Sequence, residues 1–179
     1  MTSAEKISDH PHPEVTLLRT KDCLRSFSCG EREIDKWAKD KAHKFHERRR
    51  ARVFCARSTT DGPTIGFYCL SLSTEQTSKI SAEHRDAWSN GAPLIYIDYL
   101  AVAAPRQSSG IGTHLLVDAL RKAYEVSKYV APYGVALRSL NERTTKLYEK
   151  FGFGIAPDET GPSPLMILPI WSVIQLFEG

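Results

Sequence analysis

A single mixed α/β domain, with helices on both faces of one sheet, is the architecture this sequence predicts. Three observations carry it. Apolar patterning switches between strand and helix periods in the order β-α-β-β-β-α-β-α-β. The 179 residues suffice for one sizeable core rather than two. No repeat, low-complexity segment or linker divides the chain.

The elements follow in order. "VTLLR" (15–19) alternates weakly and reads as a first short strand. "SCGE" (28–31) fits a capping box, with Ser28 at the cap and Glu31 three residues on. The helix it opens places Ile34, Trp37, Ala38, Ala42 and Phe45 on one buried face. "ARVFCARS" and "TIGFYCLSLS" are β-branched and aromatic, and the turn signal "TTDGP" between them predicts a hairpin. The polar stretch 75–92 has room for a short helix around "SAEHRDAW". The strand "LIYIDYLAV" (94–102) empties through "RQSSGIG" (106–112) into a helix from Gly112 to about Lys128, apolar at Leu115, Leu116, Ala119, Leu120 and Ala123. "YGVALRSL" (133–140) reads as a strand and "NERTTKLYEKF" as a helix ending at Gly152. "FGI" begins a return strand, interrupted by "APDETGPSP", and "LMILPIWSVIQLF" completes the fold.

Composition excludes several classes. With 41% apolar and 25% charged residues, the chain is globular rather than disordered. No apolar run approaches the ~20 residues a membrane span needs, and "MTSAEKISDHPHP" has no signal-peptide apolar region. The expectation is a cytoplasmic protein with no membrane partner, a flexible tail over 1–13 and one domain over 14–179. Cys23, Cys29, Cys55 and Cys69 are irregularly spaced, so neither a disulfide framework nor a zinc site is expected. His43 and His46 share a helix without a carboxylate at ligand spacing, and no metal is predicted.

The loop at 106–112 poses the functional question. Glycines ahead of a helix let backbone N–H groups approach an anion, and the helix N-terminus adds about half a positive charge. A P-loop would need Lys after Gly112, and a dinucleotide fingerprint a third glycine; both are missing. The loop fits Q-x-x-G-x-G (107–112), and about thirty residues later comes N-x(6)-Y-x-x-x-G-F (141–153). Together these motifs resemble the GCN5-related N-acetyltransferases, over a stretch from about Ala51 to Pro169. "DCLRSFSCGEREIDKWAKDKA" (22–42), followed by "ARVFCAR", is similar to the N-terminal segment of tRNA-acetylating toxins within that superfamily.

The resemblance implies a single-domain fold of that superfamily and acetyl-CoA as co-substrate. It places the pyrophosphate over the backbone of Gln107, Ser108, Ser109, Gly110, Ile111, Gly112 and Thr113, with Arg106 beside it. The backbones of Leu100, Ala101 and Val102 would pair with the pantetheine arm like an added strand. Many members carry Arg, Lys or Gly where this chain has Ser108 and Ser109, and Arg106 is the expected compensation. Asn141 reads equally as a helix cap and as a pantetheine contact. Tyr148 is the implied acid for the departing thiolate, since a phenol of pKa about 10 is protonated at neutral pH; plain helix packing is the other reading. No general base stands out: Asp98 and, more weakly, Glu75 are candidates. An α-amine, with a pKa near about 7.7–8.0, needs little help to lose its proton, which favours it as acceptor.

The net charge of +3 conceals a concentration over 36–52, where Lys36, Lys39, Lys41, Lys44, Arg48, Arg49, Arg50 and Arg52 face only Asp40 and Glu47. Lys36, Lys39, Lys44, Arg48, Arg49, Arg50 and Arg52 are the candidate contacts to tRNA phosphates; a merely solvated face is the competing reading. The narrower resemblance further implies aminoacyl-tRNA as substrate, an antitoxin partner and a homodimer. The alternatives are acetylation of a small amine or a protein N-terminus, and a non-catalytic CoA-binding member.

Overall fold

The computed structural model describes residues 12–179. Of the tail expected over 1–13, residues 1–11 lie outside the described residues. His12 stacks on His114 at 4.9 Å and the Pro13 carbonyl lies 3.0 Å from His114 Nε2, so the described part of this segment docks on a helix.

Among the described residues seven strands form one sheet: β1 (Glu14–Leu17), β2 (Arg52–Arg57), β3 (Thr64–Glu75), β4 (Ala92–Val102), β5 (Gly134–Arg138), β6 (Gly154–Ile155) and β7 (Leu165–Pro169). Their spatial order is β1-β2-β3-β4-β5-β7-β6, and every pair is antiparallel except β4–β5. Five α-helices accompany them among the described residues: α1 (Arg32–Asp40), α2 (Ala42–Glu47), α3 (Ile111–Ser127), α4 (Glu142–Lys150) and α5 (Ile170–Glu178). The predicted hairpin is β2–β3, and the mixed sheet with helices on both faces is present. On one face Leu115, Leu116, Ala119 and Leu120 of α3, Tyr148 of α4 and Val173 of α5 pack against Ile95, Ile97 and Val135. On the other face Trp37, Ala38 and Ala42 pack against Val53, Phe67 and Ala101.

Four local expectations are corrected. Ser28 does not cap α1: Glu31 is the N-cap residue and makes no side-chain cap bond. Instead the Asp35 carboxylate accepts from Ser28 Oγ at 2.7 Å and Cys29 N at 2.8 Å, tying the loop back to the first turn. The single helix expected after it is two, broken at Lys41, whose φ of −122° leaves the helical region. The stretch 75–92 carries no α-helix but two short 3₁₀ turns, Thr77–Lys79 and Ala82–His84. The last apolar run, read as strand throughout, is a strand only to Pro169 and then becomes α5, because α3 offers an apolar face for Val173 to pack against.

Candidate active site

The predicted loop sits where β4 ends and α3 begins. Ala104–Arg106 form a 3₁₀ turn, Ser108 takes a positive φ of 63°, and Gly110 caps α3 with φ 84° and ψ −1°. No side chain caps α3, so the first-turn N–H groups point outward with the positive end of a 17-residue helix behind them. Gln107 is structural: its Nε2 donates to the Cys29 carbonyl at 2.8 Å and the Val102 carbonyl at 3.0 Å. Ser109 donates to the Arg106 carbonyl, so that hydroxyl is spent within the loop. Ile111 is core by its side chain, leaving only its N–H for a ligand.

The two glycines do different work. Gly110 occupies the left-handed region, whereas a Cβ on Gly112 would meet only Val102 Cγ2 at an ordinary 3.6 Å. Gly110→Ala is therefore expected to cost about 1–2 kcal/mol of stability, while Gly112→Ala stays within about 0.5 kcal/mol; denaturant unfolding of both variants checks this.

β4 departs from regularity beside the loop. Cys69 pairs with Tyr99 and Leu70 with Ile97, so Asp98 is the extra residue of a β-bulge. The bulge reverses the parity of the strand: Ile95 and Ile97 before it and Leu100 and Val102 after it all face α3. Pairing with β5 covers only Leu94–Ile97, so the outer half of β4 separates from its parallel neighbour. Antiparallel pairing alternates which residues address the partner strand. The Val102 carbonyl accepts from Gln107 rather than β3, so Val102 and, two residues back, Leu100 turn their backbone polar groups away from β3. An extended amide-bearing arm fits this open edge, and an anion fits the adjacent helix start. The residues present therefore suit acetyl-CoA. Ala101 is buried against the opposite face.

Across the opening lies α4, held by a complete capping box: Asn141 Oδ1 accepts from Thr144 N and Thr144 Oγ1 from Asn141 N, both at 3.0 Å. The cap reading of Asn141 is thus realised. Tyr148, 8% exposed, packs edge-on against Phe153 at 5.9 Å. Among the described residues its phenol oxygen has no hydrogen-bond partner, and burial pushes its pKa up to about 12. Ser108 receives a bond from an unanticipated residue, Arg143 of α4, at 3.4 Å.

The basic segment forms one wall of a groove. A cavity of about 560 Å³ is lined by Trp37, Lys41, Phe45, Arg50, Ser71, Asp98 and Tyr99, among others. A hollow of about 430 Å³ between Asp40, Lys41, Lys44, Phe45, Arg48 and Arg50 adjoins it, sharing Lys41, Phe45 and Arg50. The Arg50 guanidinium lies over the Phe45 ring at 4.6 Å, and Trp37 tilts over Tyr99 at 4.5 Å. Asp98 is the carboxylate in this lining; the residue is exposed, and desolvation of its carboxyl raises its pKa. Of the predicted tRNA contacts, the groove gathers Lys44, Arg48 and Arg50. Lys36, Lys39 and Arg49 are exposed outside its lining, and Arg52 is tied to the His46 carbonyl at 3.4 Å. Lys41, at the helix break, belongs to the groove although it stood outside the candidate contacts. His46 Nδ1 accepts from Val53 N at 3.0 Å and His43 pairs with Glu47 at 3.3 Å, so both imidazoles are engaged locally. Glu75 pairs with Ala92 at the far end of the β3–β4 ladder from the loop, where Gly66 pairs with Val102, so it stands apart from the site.

A loop of amides at a helix start, an open strand edge and a phenol without a protein partner among the described residues suit acyl transfer from a CoA thioester. Residues 19–153 match the Acetyltransferase (GNAT) family, three quarters of the chain, and the protein belongs to that family. It is an acetyltransferase, of a family that uses acetyl-CoA. It is 29% identical over 147 residues to a tRNA-acetylating toxin of Mycobacterium tuberculosis (strain ATCC 25618 / H37Rv), covering 82% of this chain and 86% of that one. Its fold matches a tyrosine-to-phenylalanine mutant of KacT with TM-score 0.84 at 24% identity, over 93% of this chain and 100% of the other. It also matches AtaT complexed with acetyl-methionyl-tRNAfMet, with TM-score 0.77 at 21% identity, over 92% and 98% of the two chains. Another AtaT structure, bound to the C-terminus of the antitoxin AtaR, matches with TM-score 0.76 at 21% identity, over 94% and 100%. Among the described residues, no helix is long and apolar enough to cross a membrane.

Proposed function

We propose that this acetyltransferase acts on the α-amine of an amino acid esterified to tRNA, and that it is a toxin blocking translation. One observation carries the reading: a basic hollow of Lys41, Lys44, Arg48 and Arg50 adjoins a cavity whose lining includes Asp98 at the β4 bulge. Phosphates of an acceptor stem suit the outer part, and the aromatic walls of Trp37, Phe45 and Tyr99 suit the terminal base and aminoacyl group. The M. tuberculosis relative named a tRNA-acetylating toxin supports the same substrate class.

Acetyl-CoA supplies an activated acetyl group on sulfur. The backbone of Leu100 and Val102 orients the pantetheine arm, the amides of 108–113 take the pyrophosphate, since that of Gln107 already donates to the Ala104 carbonyl at 3.4 Å, and Arg106 stands beside them. Asp98, its pKa raised by partial desolvation, faces the cavity and receives the proton that the amine sheds on attack. Tyr148 holds a proton at its phenol oxygen and delivers it to the thiolate as the carbon–sulfur bond breaks. Asn141 fixes the start of α4 and so the position of Tyr148. An antitoxin completes the proposal: an acidic segment covering the groove would silence the enzyme by charge complementarity.

Incubation with acetyl-CoA and total aminoacyl-tRNA, nuclease digestion and mass analysis of the terminal adenosine tests the reading. Acetylated aminoacyl-adenosine is the expected product. Acetylation of free small amines with none on tRNA would replace it by the small-amine alternative.

A further inference from the structure

Arg143 stands in an electrostatically wrong place for a purely structural residue. It is in the first turn of α4, where the helix dipole favours anions and opposes a cation. It also has no carboxylate partner among the described residues, since its neighbour Glu142 pairs with Lys146 at 3.0 Å. The side chain is exposed, and its one hydrogen bond among the described residues runs to Ser108 Oγ on the loop across the opening. Rule-breaking charges of this kind mark functional positions when the cost is offset by a ligand.

The loop itself has little charge to offer. Ser109 is spent on the Arg106 carbonyl and Gln107 on two carbonyls, and no recorded bond orients the Arg106 side chain among the described residues. Arg143, by contrast, is carried by a turn whose backbone is fixed at three points: Thr144 N by Asn141 Oδ1, and the amides of Leu140 and Asn141 by Thr144 Oγ1. Ser108 presents its hydroxyl to it from a left-handed backbone. The guanidinium of α4 therefore reaches the loop ahead of α3, and the acid beside it, Glu142, is paired with Lys146.

We propose that Arg143 grips a phosphate of the CoA moiety, supplying from α4 the positive charge that a loop with serines at 108 and 109 lacks. This rests on the acetyl-CoA reading above. A guanidinium suits phosphate because its planar donors form charge-assisted bonds. Ser108 is the resting partner that keeps it aimed at the loop.

Calorimetric titration of the full chain with CoA and with 3′-dephospho-CoA tests it. Arg143→Ala should weaken CoA binding by about tenfold or more, Arg143→Lys should retain part of the affinity, and Arg106→Ala should lose less than Arg143→Ala. Equal losses on both ligands assign the pyrophosphate; a loss confined to CoA assigns the 3′-phosphate. Either result supports the grip. Ligand-free Arg143→Ala should melt no lower than wild type, since a cation leaves the wrong end of a helix. Affinity within about twofold of wild type on both ligands overturns the proposal, as does a lowered melting temperature with affinity unchanged. A wild-type chain that binds neither ligand would instead remove the acetyl-CoA reading itself.

Discussion

Tyr148→Phe is expected to lower turnover by about 10²-fold or more while leaving CoA affinity and thermal stability near wild type. The Tyr148 ring is nearly buried, and its phenol oxygen makes no bond to the protein among the described residues. Removing an oxygen that bonds nothing takes away no stabilising contact, and the ring keeps its packing on Phe153. An activity loss without a stability loss therefore separates the acid from the packing role. The pH dependence has a definite sign. Burial raises the phenol to about 12, so the folded state favours the protonated form, and that stabilisation is present below the unfolded value of about 10 and lost as pH rises toward 12. Turnover should show no falling limb from this group below about pH 11. Wild-type turnover in the variant would return Tyr148 to the core.

Reversing charge in the outer groove should separate the two acceptor classes. Lys44→Glu with Arg48→Glu alters only the outer hollow and leaves the lining of the Asp98 cavity intact. Acetylation of aminoacyl-tRNA should fall by about 10²-fold at low salt, and the salt dependence of tRNA binding should lose about one unit of slope per contact removed. A free small amine should be acetylated within about twofold of wild type. Lys36→Glu with Lys39→Glu makes the same change in net charge outside the groove and should have a much smaller effect. Equal loss in both double variants would reduce the effect to a diffuse field. No loss in either would leave the basic face merely solvated.

What could be read from the sequence was what is local in the chain. The hairpin around "TTDGP", the glycine at the start of α3 and the Asn141 cap are each dictated by a few adjacent residues, and each is present. What escaped depends on partners distant in sequence. The apolar alternation of "IYIDYL" looks the same with or without a bulge; only pairing against Cys69 and Leu70 shows that Asp98 is the added residue. Nothing between Leu165 and Phe177 but Pro169 signals that strand becomes helix, and the face that stabilises α5 belongs to α3. Ser28 and Glu31 have the right spacing for a capping box, yet the charged Asp35 carboxylate takes the Ser28 hydroxyl and the Cys29 amide and holds both in the loop ahead of the helix. Arg143 had no signal at all, since its partner Ser108 lies 35 positions away.

The parting of β4 from β5 has a thermodynamic consequence. A sheet edge opened in mid-strand leaves backbone groups around Leu100 and Val102 without a strand neighbour on that side, and a ligand lying along it acts as the absent strand. The co-substrate is then linked to folding as well as to chemistry: each tenfold excess over its dissociation constant adds about 1.4 kcal/mol to the native state. Fluctuations in cellular acetyl-CoA would thereby set both how often the enzyme is loaded and how often this edge opens to solvent.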